Sequence, residues 1–359
     1  MKIAVVGLGY WGPNLVRNFL STEGIDRVVC CDVVENRLER IKKRYPVVEV
    51  TTSFAELLKR SDIDAVVLAT PVSTHHPLGM QALEAGKHLL VEKPLSLKTV
   101  HAEEMVEFAE RQGLCLMVDH TYVYTGAVQK MKEYVMTGKI GDVLYFDSVR
   151  INLGLFQHDT NVIWDLAVHD ISIMNSLIEE KPLSVMAVGA HHYNGKEDIA
   201  YITIFFPNHV IAHFHVNWIS PVKVRRILIG GTKQMLVYDD MESSDKVKLY
   251  DKGVHVEDKD SAHDALIQYR TGDMLAPMVG QSEALSLMAK EFVDSITLGR
   301  QPLTDGWAGL NVVKILEAAE TSLRSGGELV KFASGCFEKD QVRQAHAFNS
   351  RLVSYQTTA

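Results

Sequence analysis

The sequence is poor in several things that define whole classes of protein. Its 359 residues contain only four cysteines, Cys30, Cys31, Cys115 and Cys336. None form a CxxC pair or a zinc-ligand spacing, so a disulfide scaffold and a structural zinc site are excluded as organising devices. No apolar run approaches the ~18 residues of a membrane span. Positive charge is in deficit, with 37 Lys+Arg against 45 Asp+Glu and a net charge of −8. That balance argues against non-specific binding to nucleic acid or anionic membrane. The opening MKIAVVG runs straight into a strand pattern, so no signal peptide is expected and the expected location is the cytoplasm.

What is present is ordinary globular material, 47% hydrophobic and 23% charged, in a length that suggests two domains. Over the first 120 residues short apolar runs alternate with helical patterns, the rhythm of a parallel α/β sheet. Strands are expected at 2–7, 27–32, 47–50, 65–70, 88–94 and 114–120. Beyond residue 122 the rhythm changes. Helices at 126–137 and 165–178 accompany strands at 142–151, 184–193, 199–206, 209–217, 223–231, 234–239 and 246–250, joined by turns that suit an antiparallel sheet. Two helices near 281–298 and 306–325 follow. The expected fold is an α/β Rossmann domain (1–121), an α+β domain with a large, mainly antiparallel open-faced sheet (122–335), and a polar tail (336–359).

Gly7-Leu8-Gly9-Tyr10-Trp11-Gly12 is GxGxxG between a strand and a helix. Gly7 permits the tight turn, Gly9 lets backbone approach a pyrophosphate, and Gly12 lets helix and strand pack closely. The helix N-terminus offers N–H donors to phosphate. Asp32 ends the second strand 20 residues after Gly12, where an acid would bind the ribose hydroxyls of NAD and repel the 2′-phosphate of NADP. NAD is therefore favoured over NADP, although Arg37 lies close enough in sequence to bear on that choice. Tyr10 and Trp11 fall within the same phosphate turn.

Glu92-Lys93-Pro94 follows a strand, at the edge where open α/β sheets bind ligands. A lysine there could stabilise an alkoxide, or be a surface charge. Farther on, Trp164-Asp165-Leu166-Ala167-Val168-His169-Asp170 opens a helical pattern. Its Asp165 and His169 lie four apart, one turn above the other on one face. A histidine could accept a hydroxyl proton there. Spacing alone fits a capping aspartate and a buried histidine as well. Asp170 receives no role.

The GxGxxG opening, Ala69-Thr70-Pro71 with His75, and Glu92-Lys93-Pro94 together resemble the glucose–fructose oxidoreductase and inositol dehydrogenase (Gfo/Idh/MocA) family, strongly over 1–120 and more weakly to about 330. The resemblance implies a catalytic Lys93 acting with Asp165 and His169. His169 would be the acid/base, with Lys93 and Asp165 supporting the reacting oxygen. It also implies that Thr70 and Pro71 lie beside the nicotinamide, and that the protein forms homodimers or homotetramers. The segments GYWGPN (9–14), HTYVYTGAV (120–128) and NVIWDLAVHD (161–170) resemble the branch acting on nucleotide sugars, including UDP-N-acetylglucosamine-type 3-dehydrogenases.

Further candidates sit near this centre. His75, Glu92 and His120 are expected to join the cofactor site. Tyr122, Arg150, Asn152, Gln157 and Asn161 are expected to join Lys93, Asp165 and His169 around the substrate, with His158 in the same loop. Lys223, Arg225 and Arg226 form a basic knot suited to a pyrophosphate or to a solvated strand. His213 and His215 alternate on one strand face, too few ligands to expect a metal.

The expected activity is transfer of hydride between a sugar secondary alcohol and NAD, best placed at the 3-hydroxyl of a nucleotide sugar such as UDP-N-acetylglucosamine. The alternatives are a free cyclitol or monosaccharide dehydrogenase of inositol type, and a non-catalytic NAD-binding protein.

Overall fold

A computed structural model describes residues 1–154, 156, 160–256 and 267–337. The first strands are β1 (Lys2–Val6), β2 (Arg27–Cys31), β3 (Glu49–Thr51), β4 (Ala65–Leu68), β5 (His88–Glu92) and β6 (Leu116–Asp119). They form one parallel sheet in the order β3-β2-β1-β4-β5-β6. Their continuous apolar runs are buried on both faces, as the unbroken burial of AVVL on β4 and LLVE on β5 shows. The helices between them are α1 (Gly12–Ser21), α2 (Glu35–Arg44), α3 (Phe54–Leu58), α4 (His75–Glu84) and α5 (Thr99–Gln112). The order reverses between β1 and β4, and a doubly wound sheet binds its ligand at such a switch point, outside the carboxyl strand ends.

After α6 (Gly126–Met136), a second sheet is built from β7 (Val143–Leu153), β8 (Ser184–Ala190), β9 (Ile199–Phe205), β10 (Ile211–Asn217), β11 (Ile219–Gly231), β12 (Met235–Asp239) and β13 (Val247–Tyr250). The short pair β14 (Gly253–Val256) and β15 (Ile267–Arg270) stands apart. Edge strands β16 (Met274–Leu275) and β17 (Val330–Lys331) complete the nine-stranded order β16-β13-β12-β11-β7-β10-β9-β8-β17. Only β7 and β10 run parallel; the other neighbours are antiparallel. On β9, Ala200, Ile202 and Ile204 are buried while Tyr201 is exposed on the alternate face, the period of two that a one-sided sheet requires.

The helices α7 (Val168–Leu177), α8 (Ala284–Leu298) and α9 (Gly306–Arg324) close the structure. In the sequence α8 lies within the second half, but its apolar stripe packs on the first. Phe292 meets Phe19 of α1 edge to face at 6.3 Å, and Met288, Ala289 and Phe292 join Leu15, Val16 and Cys30 in one core. Helix α9 spans both halves. Trp307 Nε1 donates to Glu110 of α5 at 2.7 Å, and Ser322 Oγ accepts from Ala187 N of β8 at 2.9 Å. Cys30 and Cys31 are buried strand residues whose thiols burial pushes up to about 12 and about 11, so they act as small apolar filler.

Candidate active site

The phosphate turn is fixed by contacts only glycine tolerates. Gly7 has φ +92°, and a Cβ there would sit 2.5 Å from the Ala69 carbonyl oxygen. A Cβ on Gly12 would sit 2.0 Å from the Gly7 carbonyl oxygen. Gly9 is different, because its Cβ would meet no protein atom within 4 Å. The space beside Gly9 is therefore open to a ligand. No side chain caps the start of α1, which leaves its first N–H groups for an anion. Tyr10 is 82% and Val33 86% exposed, with Trp11 half-exposed beside them. This apolar surface at the strand ends suits the flat faces of a dinucleotide.

Asp32 directly follows β2 and is buried. Its carboxylate accepts from Leu8 N (2.6 Å) and Val34 N (2.8 Å), and from the Arg37 guanidinium at 3.3 Å. It thus braces the phosphate turn, and its oxygens keep lone-pair capacity for a ribose hydroxyl. Arg37 is drawn onto Asp32. The residues fit a bound NAD.

These glycines separate folding from binding. Gly9→Ala is expected to leave the melting temperature unchanged and to weaken NAD at least tenfold, about 1.4 kcal/mol. Gly12→Ala is expected to cost stability, about 1–3 kcal/mol from overpacking. Thermal melts alongside NAD titration check both.

Two further loops meet at the carboxyl ends of β4 and β5. His75, at the start of α4, is almost fully buried, with Nδ1 2.8 Å from the Pro94 oxygen and Nε2 3.0 Å from the Thr70 oxygen. It ties the Ala69-Thr70-Pro71 loop to the Lys93–Pro94 turn, whose peptide bond is cis. Thr74 Oγ1 adds contacts to Thr70 Oγ1 and Pro71 O, both 2.7 Å. His75 is thus a brace between the two loops.

Lys93 follows β5. Its Nζ donates to the Asp165 main-chain oxygen at 3.0 Å and to Asp165 Oδ1 at 3.3 Å. Trp218 Nε1 holds Asp165 Oδ2 at 2.9 Å. The segment Ile163–Ala167 is a π turn running into α7, not the first turn of a regular α-helix as the spacing suggested. Wider turns of this kind recur at functional sites. Asp165 lies in that turn and His169 in the first turn of α7. Neither ring nitrogen of His169 has a hydrogen-bond partner among the described residues, and its ring meets Tyr122 edge to face at 5.0 Å. Burial, then Lys93, Arg150, His120 and Arg225, hold His169 well below the usual histidine range. It is neutral at physiological pH and free to accept a proton.

Beneath Lys93 lies a buried acid pair. Glu92 and Asp119 are register partners on β5 and β6. Burial, then the Asp119 carboxylate, push Glu92 well up, and burial raises Asp119 despite the bond from Thr121. The pair therefore retains a proton, which Glu92 can donate to Asp119. Next to it His120 is buried with neither ring nitrogen bonded. Burial, and secondarily Lys93, drive it down to about 3.

These shifts oppose each other with pH. Glu92 holds its proton more tightly folded than unfolded, so its contribution is present in acid and lost as pH rises above the ordinary carboxylate range. His120 resists protonation when folded, so its contribution is lost as pH falls from 6.5 towards 3. Glu92→Gln, a neutral isostere, is expected to gain stability relative to the parent as pH rises from 5 to 8. Denaturant midpoints at the two pH values measure it; a difference that shrinks with rising pH would refute the shared proton.

Several sequence candidates turn out to be committed elsewhere. Arg150 is buried and bidentate to Asp170 (Nε to Oδ2 3.0 Å, Nη2 to Oδ1 2.6 Å), with its guanidinium 4.4 Å over the Tyr122 ring. Asp170, without a role in the sequence, is the carboxylate that neutralises it, helped by Ser148 at 2.7 Å. Asn161 is also buried. Its Oδ1 accepts from Ile163 N at 3.2 Å and its Nδ2 donates to Glu197 at 3.0 Å, so it starts the π turn. Asn152 is half-buried near the end of β7, and Gln157 and His158 lie outside the described residues. Arg226 pairs outward with Asp239 at 2.7 Å, whereas Arg225 turns inward to Tyr122. Trp218 carries the anchor of Asp165 and had no local signal in the sequence. Among the described residues no three His, Cys, Asp or Glu side chains could hold a metal ion, and no helix is long and apolar enough to cross a membrane.

The chain is similar to several proteins of named activity. The UDP-N-acetylglucosamine 3-dehydrogenase of Acidithiobacillus ferrooxidans is 26% identical over 70% of this chain and 76% of its own. A solved structure of that enzyme superposes with a TM-score of 0.77 at 22% identity, covering 91% of this chain and 98% of the other. The scyllo-inositol 2-dehydrogenase (NAD(+)) of Bacillus subtilis is 25% identical over 91% of this chain and 95% of its own. The 2,7-anhydro-N-acetylneuraminate hydratase of Escherichia coli is 24% identical over 93% and 97%. Residues 1–120 match the oxidoreductase family with an NAD-binding Rossmann fold, and residues 128–237 match the GFO/IDH/MocA C-terminal domain; the chain belongs to the Gfo/Idh/MocA oxidoreductase family.

Proposed function

We propose that the chain is an NAD-dependent dehydrogenase oxidising a secondary alcohol of a sugar, with a nucleotide sugar such as UDP-N-acetylglucosamine as substrate and its 3-hydroxyl as the reacting group. The observation that carries this reading is the meeting of Lys93 Nζ, held by Asp165 at the carboxyl end of β5, with a neutral His169 whose ring nitrogens are unengaged. NAD, when bound, supplies the acceptor for the hydrogen leaving carbon. The chain's own residues handle the oxygen and its proton. Lys93 donates to the hydroxyl oxygen and favours its negative charge. Asp165 keeps the ammonium in place and is itself fixed by Trp218. His169 takes the hydroxyl proton as general base. Arg150 and Tyr122 pack behind the imidazole and limit its solvation.

The named activity of the Acidithiobacillus relative supports the nucleotide sugar. A free cyclitol is the second reading, favoured by the longer match to the inositol enzyme. A non-catalytic role fits poorly with a conjunction of lysine, aspartate and histidine at the strand end. Following reduced nicotinamide absorbance across nucleotide sugars and free polyols tests the proposal. Turnover of inositol without UDP-sugars would select the second reading, and no turnover of any would reject both.

The outward face of the second sheet exposes Met186, Val188, Tyr201 and Ile211. Apolar surface of that breadth suits a second copy of the chain, so a homodimer or homotetramer is part of the proposal. A monomer by light scattering would contradict it.

A further inference from the structure

Four cations and three carboxylates surround the proposed reaction centre on the second-domain side. Lys93 pairs with Asp165, Arg150 with Asp170 and Lys246 with Asp240. Arg225 shares Asp240 with Lys246, at a longer 3.4 Å. It stands directly opposite Arg150 in the β11–β7 register, a like-charge pairing that destabilises a sheet unless something offsets it. Asp170 offsets Arg150. Arg225 has only a long, single-point partner: its Nη1 donates to Asp240 Oδ2 at 3.4 Å, while the other oxygen of that carboxylate accepts from Lys246 (2.9 Å) and Tyr238 (3.1 Å).

The donors of Arg225 are also under-used. Nη1 donates to Tyr122 Oη at 2.7 Å. Nε is buried with no acceptor, and Nη2 makes no hydrogen bond among the described residues. Buried donors are rarely left unsatisfied. A guanidinium with adjacent free donors presents a planar fork matched to carboxylate or phosphate oxygens. The side chain as a whole is 27% exposed while Nε is buried, so a ligand would approach the guanidinium from its Nη2 side. Tyr122 sets its position, since the phenol oxygen holds Arg225 while the ring edge meets His169. Arg225 therefore lies one phenol's length from the proton acceptor. That suits a substituent of the substrate better than its reacting carbon.

We propose that Arg225 forms an oxyanion subsite that binds a phosphate, pyrophosphate or carboxylate substituent of the substrate and selects charged sugars over neutral polyols. This rests on the sugar-alcohol reading above and adds the residue that would set its specificity.

The test compares UDP-N-acetylglucosamine, glucuronate and myo-inositol in the parent protein, Arg225→Gln and Arg225→Lys. Removing the fork is expected to raise KM for the charged substrate roughly 10- to 100-fold, and by at least ten times the change seen with inositol. Lysine keeps the charge and loses the fork, so its KM rise is expected to be smaller. It also carries the test should the glutamine variant not fold. Greater loss with UDP-N-acetylglucosamine identifies the oxyanion as pyrophosphate, and greater loss with glucuronate identifies a carboxylate. Equal losses on charged and neutral substrates would overturn the subsite and leave Arg225 as a support for Tyr122. So would a parent protein that prefers inositol.

Calorimetry with UDP and glucuronate, free of turnover, separates the two proposals. Binding that depends on Arg225, with no sugar oxidised, keeps the subsite and rejects the dehydrogenase. Oxidation of inositol with binding indifferent to Arg225 does the reverse, and failure of both measurements overturns both.

Discussion

Lys93→Met is expected to lower kcat for sugar oxidation by about 100- to 1000-fold, the range found when a donor to a developing oxyanion is removed. KM for NAD should move far less, because the phosphate turn, Asp32 and the start of α1 remain intact. Lys93 touches Asp165 through two bonds, so part of the loss would come from a released carboxylate. His169→Asn is expected to cost a similar or larger factor, about 100- to 10,000-fold. The double variant should fall little below the worse single one, since residues acting on one oxygen and its proton are not additive. Steady-state kinetics of the three variants check this. Full activity of Lys93→Met would remove the lysine from the chemistry.

The second large effect concerns stability. Asp170→Ala would leave the Arg150 guanidinium buried without its bidentate partner. Breaking a buried pair in this way costs about 3–5 kcal/mol. Removing both charges together, as Arg150→Met with Asp170→Leu, is expected to recover much of that loss, because the desolvation of both ions disappears with them. The comparison is made by denaturant unfolding of the single and double variants. Equal destabilisation by the single and the double change would show that packing, not charge, is what Asp170 provides.

Asp170 also shows where sequence reading stops. Its partner is 20 residues earlier on β7, and no local pattern announces which strand will lie under α7. Sequence reading assigns Arg150 to the substrate, yet the side chain is buried and its Nε and Nη2 donate to Asp170. Asn161 is expected at the sugar because it is a polar loop residue near the site; its amide instead starts the π turn and reaches Glu197. Trp218 bonds Asp165 from 53 residues away, through a strand-end position whose register only the folded sheet defines.

By contrast, the phosphate turn was legible because its logic is local. Strand, glycines and helix start fall within a dozen residues, and Gly7 and Gly12 each answer a clash the backbone creates there. The strands of the second sheet are legible for a similar reason, through the short turns that join consecutive strands. The π turn was not, since periodicity between Asp165 and His169 looks the same whether a helix begins tightly or loosely. The packing of α8 on α1 was equally hidden, because its apolar stripe says that it is buried without saying against what.

The central claim is that a neutral His169 accepts the substrate proton beside Lys93. The pH dependence of kcat/KM in the parent protein and in His169→Asn tests it most directly. The account predicts an acid limb below pH 6.5 in the parent, because burial and neighbouring cations depress the imidazole, and loss of that limb with the histidine. An acid limb that persists unchanged in His169→Asn would contradict it.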